Sequence, residues 1–200
     1  RRLMYWQVYM HKTAVAFERV LINTLKRAKY LYRNHTQHSA CQLPFASPAL
    51  AYFLQNQVDA QWFNNHPEAL HMYEELDDSD IWSALKAWRH HDDKILSLLA
   101  TDMLDRHIFC VEVHEQPVPQ ERIDSIQENI ARKLNVNYDD AAYLMSVVKL
   151  QKNMYSVDDD SIDILYKDGT IRDIAQASEL LNVQLLSKNV SKHLLCYQRF

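Results

Sequence analysis

Arg1, Tyr5, Tyr9, His11 and Lys12 stand within one short stretch of the chain. Together they suit one kind of chemistry: guanidinium and ammonium groups hold phosphate oxygens, and an aromatic ring lies against a nucleoside. At about 100° per residue, Leu3, Trp6, Met10, Ala14, Phe17 and Leu21 fall on one side of a helix. Arg1, Tyr5, Lys12, Arg19 and Lys26 fall on the other, with Tyr9 on the flank. Two readings fit this pattern. In the plainer one the helix is amphipathic with a solvated basic face; in the sharper one the Arg/Tyr/Lys face meets a phosphate and a nucleoside.

Other reactive residue types lack the spacing their chemistry needs. Arg89-His90-His91-Asp92-Asp93 contains metal-ligating types, but neighbours on a helix point about 100° apart and do not chelate one ion. A helix end carrying His90 and His91, followed by Asp92 or Asp93 capping the next helix, accounts for the same residues. The remaining histidines form no HExxH or similar cluster, so no metal site is predicted. Cys41, Cys110 and Cys196 are far apart, without a CxxC pair, and read as reduced, mostly buried thiols. With Gly169 as its one glycine, the chain excludes glycine-rich phosphate loops and nucleophile elbows alike.

The elements that position these residues follow from apolar spacing. A helix is predicted from Arg1 to about Tyr32, with no cap and no start methionine, so the chain is expected to be a fragment lacking its upstream part. A polar stretch ends at Pro44, and Ser47-Pro48 opens a second helix. Asn64 to Pro67 interrupts, and a short helix runs through Leu70 and Tyr73. Asp77 to Asp80 caps a helix from Ile81 to His90, and Asp92 or Asp93 starts another, bearing Ile95, Leu98, Leu99 and Met103. After Arg106 the period changes. Ile108 to Val113 reads as a strand, Arg122 to Leu134 as a helix, Tyr138 to Leu144 as a short helix and Met145 to Leu150 as a strand. Ser161 to Tyr166 and Thr170 to Ile174 flank an Asp168-Gly169 hairpin signal. Ala175 to Leu181 reads as helical and His193 to Tyr197 as a last strand.

Two hundred residues with 48% hydrophobic content suffice for a real core. The net charge of −4 argues against a dedicated nucleic-acid binder, so any anion site must be local. No apolar run approaches the roughly 20 residues that cross a bilayer, and nothing near Arg1 has the layout of a secretory signal. A cytoplasmic chain without a membrane partner is expected.

Tyr9-x-His11-Lys12, preceded by Arg1, resembles the helix that follows the catalytic core of HD-domain phosphohydrolases. The group in question comprises the deoxynucleoside triphosphate triphosphohydrolases, the SAM-and-HD-domain enzymes and their bacterial relatives. Asp78-Ser79-Asp80-Ile81-Trp82, Leu104-Asp105-Arg106-His107-Ile108-Phe109 and the closing Lys192-His193-Leu194-Leu195-Cys196-Tyr197 agree in order. The resemblance implies that Arg1 approaches a substrate triphosphate, that Tyr9 packs near sugar or base, and that His11 and Lys12 help bind a regulatory nucleotide between subunits. It also implies a divalent metal that activates water, held upstream of Arg1.

The expectation is therefore an α+β chain, mainly helical in its N-terminal half, with a small mixed layer at its C-terminus. Residues 1–106 form a helical region continuing an upstream HD domain, and 107–200 a small α+β subdomain. Substrate contacts are expected from Arg1, Tyr5 and Tyr9, and regulatory nucleotide contacts from His11 and Lys12. No catalytic residue, metal ligand or cofactor is assigned to the chain itself. Its partners are a nucleotide substrate in the full-length protein and further copies in a homo-oligomer. The rival reading is a non-enzymatic regulatory or assembly module acting through the α+β tail.

Overall fold

His11 interrupts what the periodicity predicts as one continuous helix. In the computed structural model, which describes residues 4, 8, 10–34, 42–152, 163–173 and 190–199, His11 has extended backbone angles (φ −63°, ψ 135°). Its Nδ1 accepts a hydrogen bond from the Thr13 N–H at 3.3 Å. It is thus the N-cap of helix α1, Lys12–Arg33. The predicted stripe is also rotated. Val15, Ala16, Val20, Asn23, Thr24, Arg27, Ala28 and Leu31 are buried, whereas Ala14 is exposed and Phe17 and Leu21 are half-buried. Hydrophobic periodicity counts Asn23, Thr24 and Arg27 as surface. They lie inside because each finds a polar partner there, as Thr24 Oγ1 does in donating to Val20 O at 2.7 Å.

Five further helices follow: α2 Pro48–Gln55, α3 Ala60–Asn65, α4 Pro67–Glu75, α5 Asp78–Trp88 and α6 Lys94–Asp105. Their starts obey capping chemistry. Ser47 caps α2 with Pro48 beside it, Asp59 caps α3, Asp77 and Asp80 form a capping box on α5, and Asp93 caps α6. Trp88 is completely buried, and its Nε1 donates to Phe45 O at 2.8 Å, tying α5 to the strand of chain before α2. A chain so poor in glycine closes its helices with other residues. Arg106 ends α6 in the left-handed region at φ 59°, at a cost of about 1 kcal/mol.

The C-terminal half carries β1 Cys110–His114, α7 Gln120–Leu134, α8 Tyr138–Ala141, a 3₁₀ turn Ala142–Leu144, β2 Met145–Lys152, β3 Asp163–Leu165, β4 Ile171–Asp173 and β5 Val190–Tyr197. One antiparallel sheet has the order β1-β5-β2, with Glu112, Leu195 and Val147 in one row and Val111, Cys196 and Ser146 in the next. Successive rows face opposite sides. Leu194, Leu195 and Cys196 of the central strand are all buried, so both faces of the sheet are covered. From one side Asn23 of α1 reaches Ser146, and from the other Arg122 of α7 reaches Glu112. Strands β3 and β4 form a separate hairpin, closed where Gly169 takes the positive φ of 81° that favours glycine. The result is an α+β fold, mainly helical in the first half. The helix expected at Ala175 to Leu181 lies outside the described residues. Among those described, no helix is long and apolar enough to cross a membrane.

Candidate functional site

The residues singled out by sequence divide at the head of α1. Arg1, Tyr5 and Tyr9 lie outside the described residues. His11 and Lys12 are described, and both are exposed. Capping commits the Nδ1 of His11 to the Thr13 N–H, and Lys12, the first helical residue, stands beside it.

Four turns along, α1 carries a buried ionic cluster that spacing alone does not reveal. The Arg27 guanidinium donates from Nε to Asp93 Oδ1 at 3.0 Å and from Nη2 to Asp93 Oδ2 at 2.6 Å, a bidentate fork. Its Nη1 donates to Asp140 Oδ1 at 2.5 Å. The rings of Tyr30 and Tyr143 each lie 5.1 Å from the guanidinium carbon, within cation–π range. Burial opposes the charge on Arg27, but hydrogen bonds and attraction from Asp93 and then Asp140 outweigh it and raise its pKa. Burial likewise opposes ionisation of Asp93; bonds from Arg27 and the Leu96 N–H overcome that and hold its carboxyl below the ordinary value. One carboxylate thus caps α6 and pins α1, while Asp140 binds α8 to the same point.

A cleft of about 280 Å³ opens beside this cluster, between α1 and the start of β2. Arg19, Asn23 and Lys26 form one wall, and Tyr143, Ser146 and Val147 stand on the other. Asn23 fastens the two walls: its Nδ2 donates to Tyr143 O at 2.8 Å, Met145 O at 3.0 Å and Ser146 Oγ at 3.1 Å. Sequence reasoning placed Arg19 and Lys26 on a basic face but did not supply the opposing wall.

The histidine-rich loop does what its capping reading implies. Arg89 ends α5 and pairs with Asp105. His91 Nδ1 accepts from the Asp93 N–H at 3.0 Å, and its Nε2 meets Gln42 O at 2.8 Å as the donor. Elsewhere Asp102 is buried with one carboxylate oxygen lacking a hydrogen-bond partner. Burial raises its pKa, against weaker opposition from Gln198 and the exposed His107. Cys110 and Cys196 are free thiols, and burial pushes the Cys196 thiol up to about 11. Among the described residues no His, Cys, Asp and Glu side chains are grouped to hold a metal ion.

The chain matches no protein-family model. It is 25% identical, over its whole length, to the uncharacterised protein YwfO of Bacillus subtilis, and covers 43% of that protein. Among solved structures, a phosphohydrolase from Bacteroides thetaiotaomicron superposes on the entire chain with a TM-score of 0.91 and 50% identity. The chain covers 48% of that phosphohydrolase. It thus spans less than half the length of either protein.

Proposed function

We propose that this chain is the C-terminal region of an HD-domain nucleotide phosphohydrolase, a homo-oligomer that cleaves phosphate or triphosphate from a nucleotide. The observation that carries this reading is the 50% identity, in a match that covers the whole chain, to a phosphohydrolase of the same fold. Hydrolysis in such a protein is metal-dependent, with the metal held outside the described residues and activating a water. Arg1, Tyr5 and Tyr9 supply part of the substrate wall. His11 and Lys12 serve a regulatory nucleotide, and their exposure at the head of α1 leaves both accessible to one.

Release of nucleoside, phosphate and tripolyphosphate from a panel of nucleoside mono- and triphosphates, with manganese or magnesium, tests the proposal. The complete protein is expected to hydrolyse at least one nucleotide, and the 200-residue chain none. An inactive complete protein overturns the reading, and activity in the isolated chain overturns the assignment of the metal elsewhere. In the complete protein, Arg1→Ala is expected to raise KM for a triphosphate by about tenfold, the worth of one charge-assisted phosphate contact of about 1.4 kcal/mol.

A further inference from the structure

The cleft between α1 and β2 has a charge pattern that the fold itself does not use. Arg19 and Lys26 lie seven residues apart on one strip of α1, a rise of about 10 Å, with Asn23 between them. Two long side chains at that separation, both lining the cleft, have the reach to meet one multiply charged group. Among the described residues, Glu18 is the one carboxylate paired with either of them. The Nε of Arg19 is shielded from water and has no hydrogen-bond partner. Its Nη2 touches Glu18 at 3.2 Å, but that carboxylate is the adjacent, largely solvated residue, and such a pair is weak. Lys26 is exposed and has no ion-pair partner among the described residues.

Among the described residues, no acidic side chain lines the cleft. Asp93 and Asp140, the carboxylates of the neighbouring cluster, are both engaged by Arg27. Cys196, close enough to feel the charge of Arg19, stays a neutral thiol because burial disfavours its thiolate. Asn23 and Ser146 satisfy one another and the backbone of the opposite wall, so they shape the floor and leave recognition to the two cations. A local excess of two positive charges in a chain of net charge −4 runs against the average of the molecule.

We propose that this cleft binds a compact phosphoryl anion bearing several charges, of the size of pyrophosphate or tripolyphosphate, held between Arg19 and Lys26. The terminal Nη1 and Nη2 of Arg19 take phosphoryl oxygens, Nε being shielded, and Lys26 neutralises the far end as a point charge. The site begins two turns of helix beyond His11 and Lys12, and it does not depend on the nucleotide roles given to those residues.

Calorimetric titration of the 200-residue chain with phosphate, pyrophosphate and tripolyphosphate, at fixed ionic strength, tests the site. Saturable one-to-one binding is expected, tightening with the number of phosphoryl groups. Arg19→Gln and Lys26→Gln are each expected to weaken pyrophosphate binding by about tenfold, Arg19→Lys by less, and the remote Lys86→Gln to leave it unchanged. Lys26 is exposed, so Lys26→Gln keeps the test decisive even if Arg19→Gln impairs folding. Absence of saturable binding up to about 10 mM pyrophosphate, or a Lys26→Gln variant that binds like the unsubstituted chain, overturns the proposal.

Discussion

Arg19 and Arg27 project from the same helix into opposite electrostatic situations. Arg27 is buried, clasped by two carboxylates and flanked by two tyrosine rings. Arg19 keeps a shielded Nε without a partner at the edge of a cleft lined, among the described residues, by no carboxylate. A charge taken out of water must be neutralised where it sits, or it weakens the fold. The fold meets that requirement for Arg27 by drawing Asp93 and Asp140 from two other helices. At Arg19 it supplies, among the described residues, the adjacent, largely solvated Glu18 alone, and in the proposed site a ligand supplies the remaining counter-charge. One helix therefore divides its cations between holding the structure and meeting an anion.

Removing Arg27 breaks the comparison most directly. Arg27→Met leaves two carboxylates facing each other without their cation, and is expected to lower unfolding free energy by about 3–5 kcal/mol, read by chemical denaturation at neutral pH. A loss below about 1 kcal/mol would put Arg27 in the same class as a surface charge.

Asp93→Asn sharpens the point with a smaller effect, because asparagine still caps α6 while the charge and one acceptor of the Arg27 fork are lost. The expected destabilisation is about 1–3 kcal/mol near neutral pH. The folded carboxyl of Asp93 titrates below its unfolded value. Its stabilisation is therefore complete above the ordinary carboxylate range of about 4 and disappears as pH falls through the lower, folded value. The gap between the unsubstituted chain and the variant should close on acidification over that interval. A gap that stays constant with pH would mean that the Arg27 charge is not what Asp93 serves.

The caps that start the helices are legible in the sequence. Ser47-Pro48, Asp77 with Asp80, and Asp93 each act within four residues of the backbone they satisfy, and local spacing records local chemistry. Asp168-Gly169 is legible for the same reason, since one turn needs one positive φ. The Arg27 cluster is not, because its partners stand 66 and 113 residues away. Nothing in the period of α1 distinguishes an arginine about to be neutralised from one facing water. That blindness also rotates the predicted stripe, which passes over Asn23, Thr24 and Arg27. The cleft is half legible: Arg19 and Lys26 fall on the expected basic face, whereas Tyr143, Ser146 and Val147 reach it only through the 3₁₀ turn and β2. The cap at His11 escapes notice because histidine is outside the usual capping set.

The smallest predicted effect is the most discriminating. If Arg19 serves a ligand rather than the fold, Arg19→Gln should change unfolding free energy in the absence of anion by less than about 0.5 kcal/mol. It should even favour the folded chain slightly, because a shielded N–H without a partner carries a desolvation penalty that the substitution removes. The same substitution should abolish any rise in melting temperature produced by pyrophosphate, since a ligand stabilises only the state that binds it. Loss of more than about 1.4 kcal/mol without anion would return Arg19 to the company of Arg27, as a residue whose charge the fold requires. An arginine whose removal leaves the free protein intact, yet removes its response to an oligophosphate, has its counter-charge outside the chain.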